Sequence, residues 1–115
     1  MPAGIYNITA EQGATFTRVL TWRDSNDALI DLTGYTARMQ VRADYASSTV
    51  VLSLTTENGK ITLGGVLGTI TLLVSASEMA DVAGSGFVYD LEMVNGGNVR
   101  RLLQGNFTAN AEVTR

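Results

Sequence analysis

The chain has no cysteine and no histidine, one proline (Pro2), one lysine (Lys60) and no apolar run approaching membrane length. Without cysteine there is no disulfide framework and no thiolate nucleophile. Without histidine as well, there is no imidazole base and no Cys/His metal cage. A Ser–Lys hydrolase would have to be built from Lys60 with Ser75, Ser77 or Ser85. That chemistry needs a partly buried lysine of depressed pKa, whereas Lys60 follows a turn signal. The longest apolar stretches, residues 70–74 and 102–103, fall far short of the ~20 residues of a spanning helix. The opening Met1-Pro2-Ala3-Gly4 has neither the basic nor the apolar region of a secretory leader. Folding in a cytoplasm is the expectation.

What remains is 115 residues, 45% apolar and 17% charged, enough for one domain around one core. The net charge is −3, and seven of the eight basic residues are arginine. Nucleic-acid binders carry the opposite bias, because their affinity comes from neutralising phosphates. Neither a nucleic acid nor a membrane is expected as a partner.

The dominant period is two, the signature of strands with one dry face and one wet face. Over residues 35–42, Tyr35, Ala37, Met39 and Val41 alternate with Thr36, Arg38, Gln40 and Arg42. Phe16, Leu20 and Trp22 share one side of residues 15–23, and Thr15, Thr17, Thr21 and Arg23 the other. Phe87, Tyr89, Leu91 and Met93 point inward with Asp90 and Glu92 outward; Phe107, Ala109, Ala111 and Val113 repeat the pattern. Residues 5–9, 50–54, 61–63 and 70–74 complete about eight strands, with a further short one at 28–30. Asn58-Gly59 reads as a two-residue hairpin turn, Asn95-Gly96-Gly97-Asn98 as another turn, and Gly64-Gly65-Val66-Leu67-Gly68 as a loop or hairpin. Ser75-Ala76-Ser77-Glu78 fits a capping box and predicts one helical turn near 77–82. Short strands with such turns predict an all-β single domain over 1–115, an antiparallel sandwich or barrel, with a mobile arm at 1–6.

No constellation signals catalysis, a cofactor or a metal. Asp24, Asn26, Asp27 and Asp31 lack the glycine and the alternate ligands of a calcium loop and read as Asx-type turns. Asp90 and Glu92 share a solvated face, where little reason exists for a shifted pKa. Asn7-Ile8-Thr9 and Asn106-Phe107-Thr108 match the glycosylation tripeptide, a match read as accidental without a secretory signal. Arg38, Arg42, Arg100 and Arg101 are the candidate interaction residues. Guanidinium groups on a rigid sheet make good interface anchors. The competing reading pairs them with Asp90 and Glu92 across their own sheet. Six of the eight aromatics fall on core faces, leaving Tyr6 and Tyr45 for any exposed sugar-binding role.

Several stretches together resemble a known group of proteins. They are Glu11-Gln12-Gly13-Ala14-Thr15-Phe16, Leu20-Thr21-Trp22, the run from Asp31-Leu32-Thr33-Gly34-Tyr35 to Arg42, Phe87-Val88-Tyr89-Asp90-Leu91-Glu92 and Glu112-Val113-Thr114-Arg115. The set is similar to small structural proteins of tailed bacteriophages, and more distantly to the β-sandwich domain that opens some upper-baseplate proteins. The similarity covers nearly the whole chain and is most specific over 31–42. It implies an immunoglobulin-like sandwich without catalytic residues, assembled into a virion in the host cytoplasm. The implied role is an interaction module of the tail, baseplate or fibre-attachment apparatus, or alternatively a head decoration protein. Other phage structural proteins and further copies of the chain are the implied partners. A glycan-depolymerising enzyme and a carbohydrate-binding module are the competing classes, and neither finds its residues here.

Overall fold

Alternation along the chain becomes two layers in the computed structural model, which describes residues 4–82 and 84–111. The larger sheet holds β1 (Gly4–Ile5), β2 (Ile8–Glu11), β4 (Thr36–Arg42), β5 (Val50–Thr55), β8 (Gly84–Asn95) and β9 (Asn98–Asn110). Its order is β1-β9-β8-β4-β5, with β2 also paired to β9. The smaller sheet, β3-β7-β6, is built from β3 (Phe16–Thr21), β6 (Ile61–Leu63) and β7 (Thr69–Val74). In an immunoglobulin sandwich, β3, β7 and β6 occupy the places of strands B, E and D. Strands β4, β8 and β9 take those of C, F and G, and β5 is the extra C′ strand. The fold is an immunoglobulin-like β-sandwich.

Side chains from the two inner faces make one apolar core. Met39, Val41, Leu54, Leu91, Met93 and Phe107 of the large sheet meet Ile70, Leu72 and Val74 of the small one, all nearly inaccessible. Phe16 and Phe107 pack edge-to-face across the layers, with ring centroids 5.9 Å apart. Each such side chain contributes about 1.5–3 kcal/mol by leaving water. Helix α1 (Ala76–Met79) plugs one end with Met79. Its Ser75 cap accepts from the Glu78 amide at 3.3 Å, the first half of the expected capping box.

The structure departs from the sequence reading in four places. First, the expected N-terminal strand at 5–9 is split into β1 and β2, and both run parallel to β9, unlike the antiparallel remainder. Of the arm expected at 1–6, Gly4 and Ile5 pair with Leu103 and Gln104, and the Tyr6 amide donates to Gln104 O at 2.9 Å. Met1, Pro2 and Ala3 lie outside the described residues, as do Val113 and the closing Glu112–Arg115 motif. Second, residues 28–30 form only a single bridge between Arg23 and Leu29, because the Asp24 loop already satisfies its own amides.

Third, Asn58-Gly59 is not a hairpin turn. Strand β5 belongs to the large sheet and β6 to the small one, so the chain changes layer there. The cause is the Asn58 carboxamide. Its Oδ1 accepts from the Thr55 amide at 3.0 Å and its Nδ2 donates to Ser53 O at 3.0 Å. Those are the positions a returning strand would use. Fourth, Tyr6 is not free: it packs against the core, and its ring and hydroxyl are engaged by Arg18.

Candidate interaction surface

The four arginines singled out in the sequence fall into two groups. Register places Arg38 opposite Glu92 and Gln40 opposite Asp90 on the outer face of the large sheet. Arg38 Nε donates to Glu92 at 2.7 Å, and Arg101 Nε lies 3.2 Å from Asp90. Arg42 is held by Gln40 Oε1 at 2.7 Å and by Ser47 O at 2.7 Å. This face is therefore a mosaic of paired charges around a shallow depression of about 300 Å³. A register shift between Leu91 and Glu92 puts Arg100 opposite Met93. Its guanidinium lies 5.8 Å above the Trp22 ring, away from the other three.

Partial burial, with the neighbouring Glu92 carboxylate, pushes Asp90 above its usual carboxylate range. Arg101, Arg42 and Arg38 pull the other way. The expectation of no shift on a fully solvated face is corrected for Asp90: long arginine and glutamate side chains cover it. Asp31 moves down, because the Thr33 hydroxyl and amide both donate to its Oδ1, at 2.6 and 2.9 Å. No cluster of three acidic side chains able to hold a metal ion occurs among the described residues.

The outer face of the small sheet has a different character. Thr17, Val19 and Thr21 of β3 stand beside Leu73, Thr71 and Thr69 of β7, with Thr62 of β6 beyond. Every side chain in that array is uncharged. Val19 is 59% exposed and Leu73 48%.

Between the layers, on the side where β1 passes β3, lies an open groove of about 430 Å³ whose walls are mainly apolar, from Ile5, Leu20, Trp22, Leu102 and Leu103, with Arg23 at one end. Arg18 closes the neighbouring stretch, donating to the Tyr6 hydroxyl at 2.7 Å and to Thr9 O at 3.2 Å. The period of β3 already put Arg18 on the Phe16–Leu20 side, an inward charge that signals a bridging role. Asn58 gave no comparable signal, since Asn-Gly is equally at home in a hairpin.

No family model and no curated protein matches the chain. Among solved structures, a chain from structure-based site-directed photo-crosslinking of multimeric cell-adhesive interactions of VGSC beta subunits is similar. It aligns with 94% of this chain and 92% of its own, at 14% identity and a TM-score of 0.47.

Proposed function

We propose that this protein is a non-enzymatic structural component of a tailed-bacteriophage virion. It would act as an interaction module of the tail, baseplate or fibre-attachment apparatus. The observation that carries the reading is the distribution of polarity: among the described residues no charged side chain is buried, and the core is apolar but for the Tyr89 hydroxyl. A body with an apolar interior and two outer faces, one charge-paired and one neutral at its centre between Arg23 and Lys60, suits packing among neighbours. The likeness of residues 11–16, 31–42 and 87–92 to small phage structural proteins supports the virion setting. Arg38, Arg42, Arg100 and Arg101 are proposed as polar contacts, with part of their capacity already taken by Glu92, Asp90, Gln40 and Trp22.

Quantitative mass spectrometry of purified virions tests this through copy number relative to the major capsid protein. A ratio of a few per cent is expected for a tail ring or fibre attachment. A ratio near one would replace the tail assignment by the head-decoration alternative, and absence from virions would end both. Turnover of host surface polysaccharide by the purified chain would overturn the non-enzymatic reading.

A further inference from the structure

Strands β1, β2 and β6 are two to four residues long, whereas β3 and β5 each bring six residues to a sheet edge. An open edge carries a row of main-chain donors and acceptors and is a template for another strand. On β5 part of this row is engaged from within: the Asn58 carboxamide takes the Thr55 amide and the Ser53 carbonyl. On β3 it is bare.

Hydrogen-bond parity shows which groups are exposed. The Trp22 amide donates to Gly68 O at 2.8 Å, in step with the pairing of Leu20 with Ile70 and Arg18 with Leu72. The even residues of β3 therefore bond to β7, and Thr17, Val19 and Thr21 turn N–H and C=O toward the open side. Among the described residues nothing bonds to those groups.

We propose that the chain forms a two-fold dimer by antiparallel pairing of β3 with β3 of a second copy, centred on Val19. The occupant follows from self-complementarity. With Val19 facing Val19, Thr17 faces Thr21 of the second copy, and all three pairs present bonding groups to each other. That makes about six main-chain hydrogen bonds across the axis. The cross-strand neighbours are Val–Val and Thr–Thr, favourable β-branched pairs. On the inner side Leu20 meets Arg18 of the second copy, and Trp22 meets Phe16, so no like charges oppose. The chain's net charge of −3 is likewise kept off this edge, since the outward residues of β3 are all neutral. The groove walled by Ile5, Leu20 and Trp22 opens beside the new strand and is covered by it. The result is one continuous six-stranded sheet with the neutral centre of its outer face doubled, an isologous interface.

The proposal concerns the isolated chain and does not depend on the virion assignment. Sedimentation equilibrium of the full chain at about 100 µM should give twice the 12.2 kDa chain mass. Val19→Lys sets like charges against each other on the axis and should give a monomer with an unchanged circular dichroism spectrum. Val19→Cys supplies the chain's sole cysteine. Pairing would hold the two Cα atoms about 5.5 Å apart, within disulfide range. Mild oxidation should then yield a covalent dimer, whereas Leu73→Cys on the middle strand of the same face should not. A monomeric parent chain, a Val19→Lys protein that stays dimeric, or equal cross-linking of the two cysteine variants would each overturn the proposal. Should Val19→Lys fail to fold, the comparison of cysteine variants decides.

Discussion

The Arg18 guanidinium of β3 donates to the hydroxyl of Tyr6 at 2.7 Å, a bond that runs from the smaller sheet to the N-terminal segment of the larger one. Arg18 also reaches Thr9 O, and its carbon lies 5.9 Å from the Tyr6 ring centre. From the other side, Tyr89 donates its hydroxyl to the Tyr6 carbonyl, and burial raises the Tyr89 pKa, so it stays a donor through the physiological range. Tyr6 is thus the point at which three strands and both layers are tied.

Tyr6→Phe removes the acceptor of the Arg18 bond and keeps the ring. A loss of about 0.5–1.5 kcal/mol in urea unfolding is expected, since Arg18 retains access to water. Arg18→Met should cost a similar amount, and the double variant less than the sum. A strictly additive pair would show that the 2.7 Å contact carries no coupling.

Gly105 of β9 lies so close to the chain that a Cβ there would strike the Tyr6 carbonyl and Asn7 Oδ1. Gly105→Ala should force β1 and β2 off the sheet edge, at about 1–3 kcal/mol. Hydrogen exchange should then accelerate at the amides of Tyr6 and Asn106, whose acceptors are Gln104 O and Asn7 Oδ1, while β4 amides keep their protection. Unchanged protection at both would contradict the close approach.

Asn58→Ala uncovers the β5 edge and should destabilise the chain by about 1–2 kcal/mol. It should also raise concentration-dependent light scattering, because a charge-free, mostly β-branched and aliphatic edge is left open. Asn58→Asp keeps the acceptor for the Thr55 and Lys60 amides but loses the donor to Ser53, and should fall between the two. Equal scattering by parent and Asn58→Ala would show that the edge needs no cover.

Asp31 and Asp90 should affect acid stability in opposite directions. The folded-state pKa of Asp31 is lowered, so its contribution is present above the ordinary carboxylate range and fades as pH falls through the lowered value. Asp31→Asn should therefore lose less Tm than the parent between about pH 6 and pH 3. The folded-state pKa of Asp90 is raised, so its favourable contribution is present at low pH and is lost as pH rises through that value. Asp90→Asn should accordingly steepen the acid loss relative to the parent. Identical pH profiles for the two variants would refute the assignment of opposite shifts.

The sequence by itself determined the all-β class, the dry faces and the charged ones. Alternation depends only on the two-residue repeat of a strand, so Met39, Val41, Leu91 and Met93 could be placed inside, and Arg38 and Glu92 outside, without knowing their neighbours. The helix cap at Ser75 was legible for the same reason: its partner, Glu78, is three residues away. Tertiary structure alone decided which strands pair and how the layers are joined. The parallel docking of β1 and β2 depends on Gly105, some hundred residues along the chain, and on a hydroxyl from Tyr89. Asn58-Gly59 has local chemistry that serves a hairpin or a layer change equally well, and the choice fell to the two β5 groups its carboxamide satisfies. Splitting the arginines likewise needed the β9 register shift, which turns Arg100 toward Trp22 and leaves Arg101 beside Asp90. Local repeat sets which way a side chain faces; long-range pairing sets what it meets there.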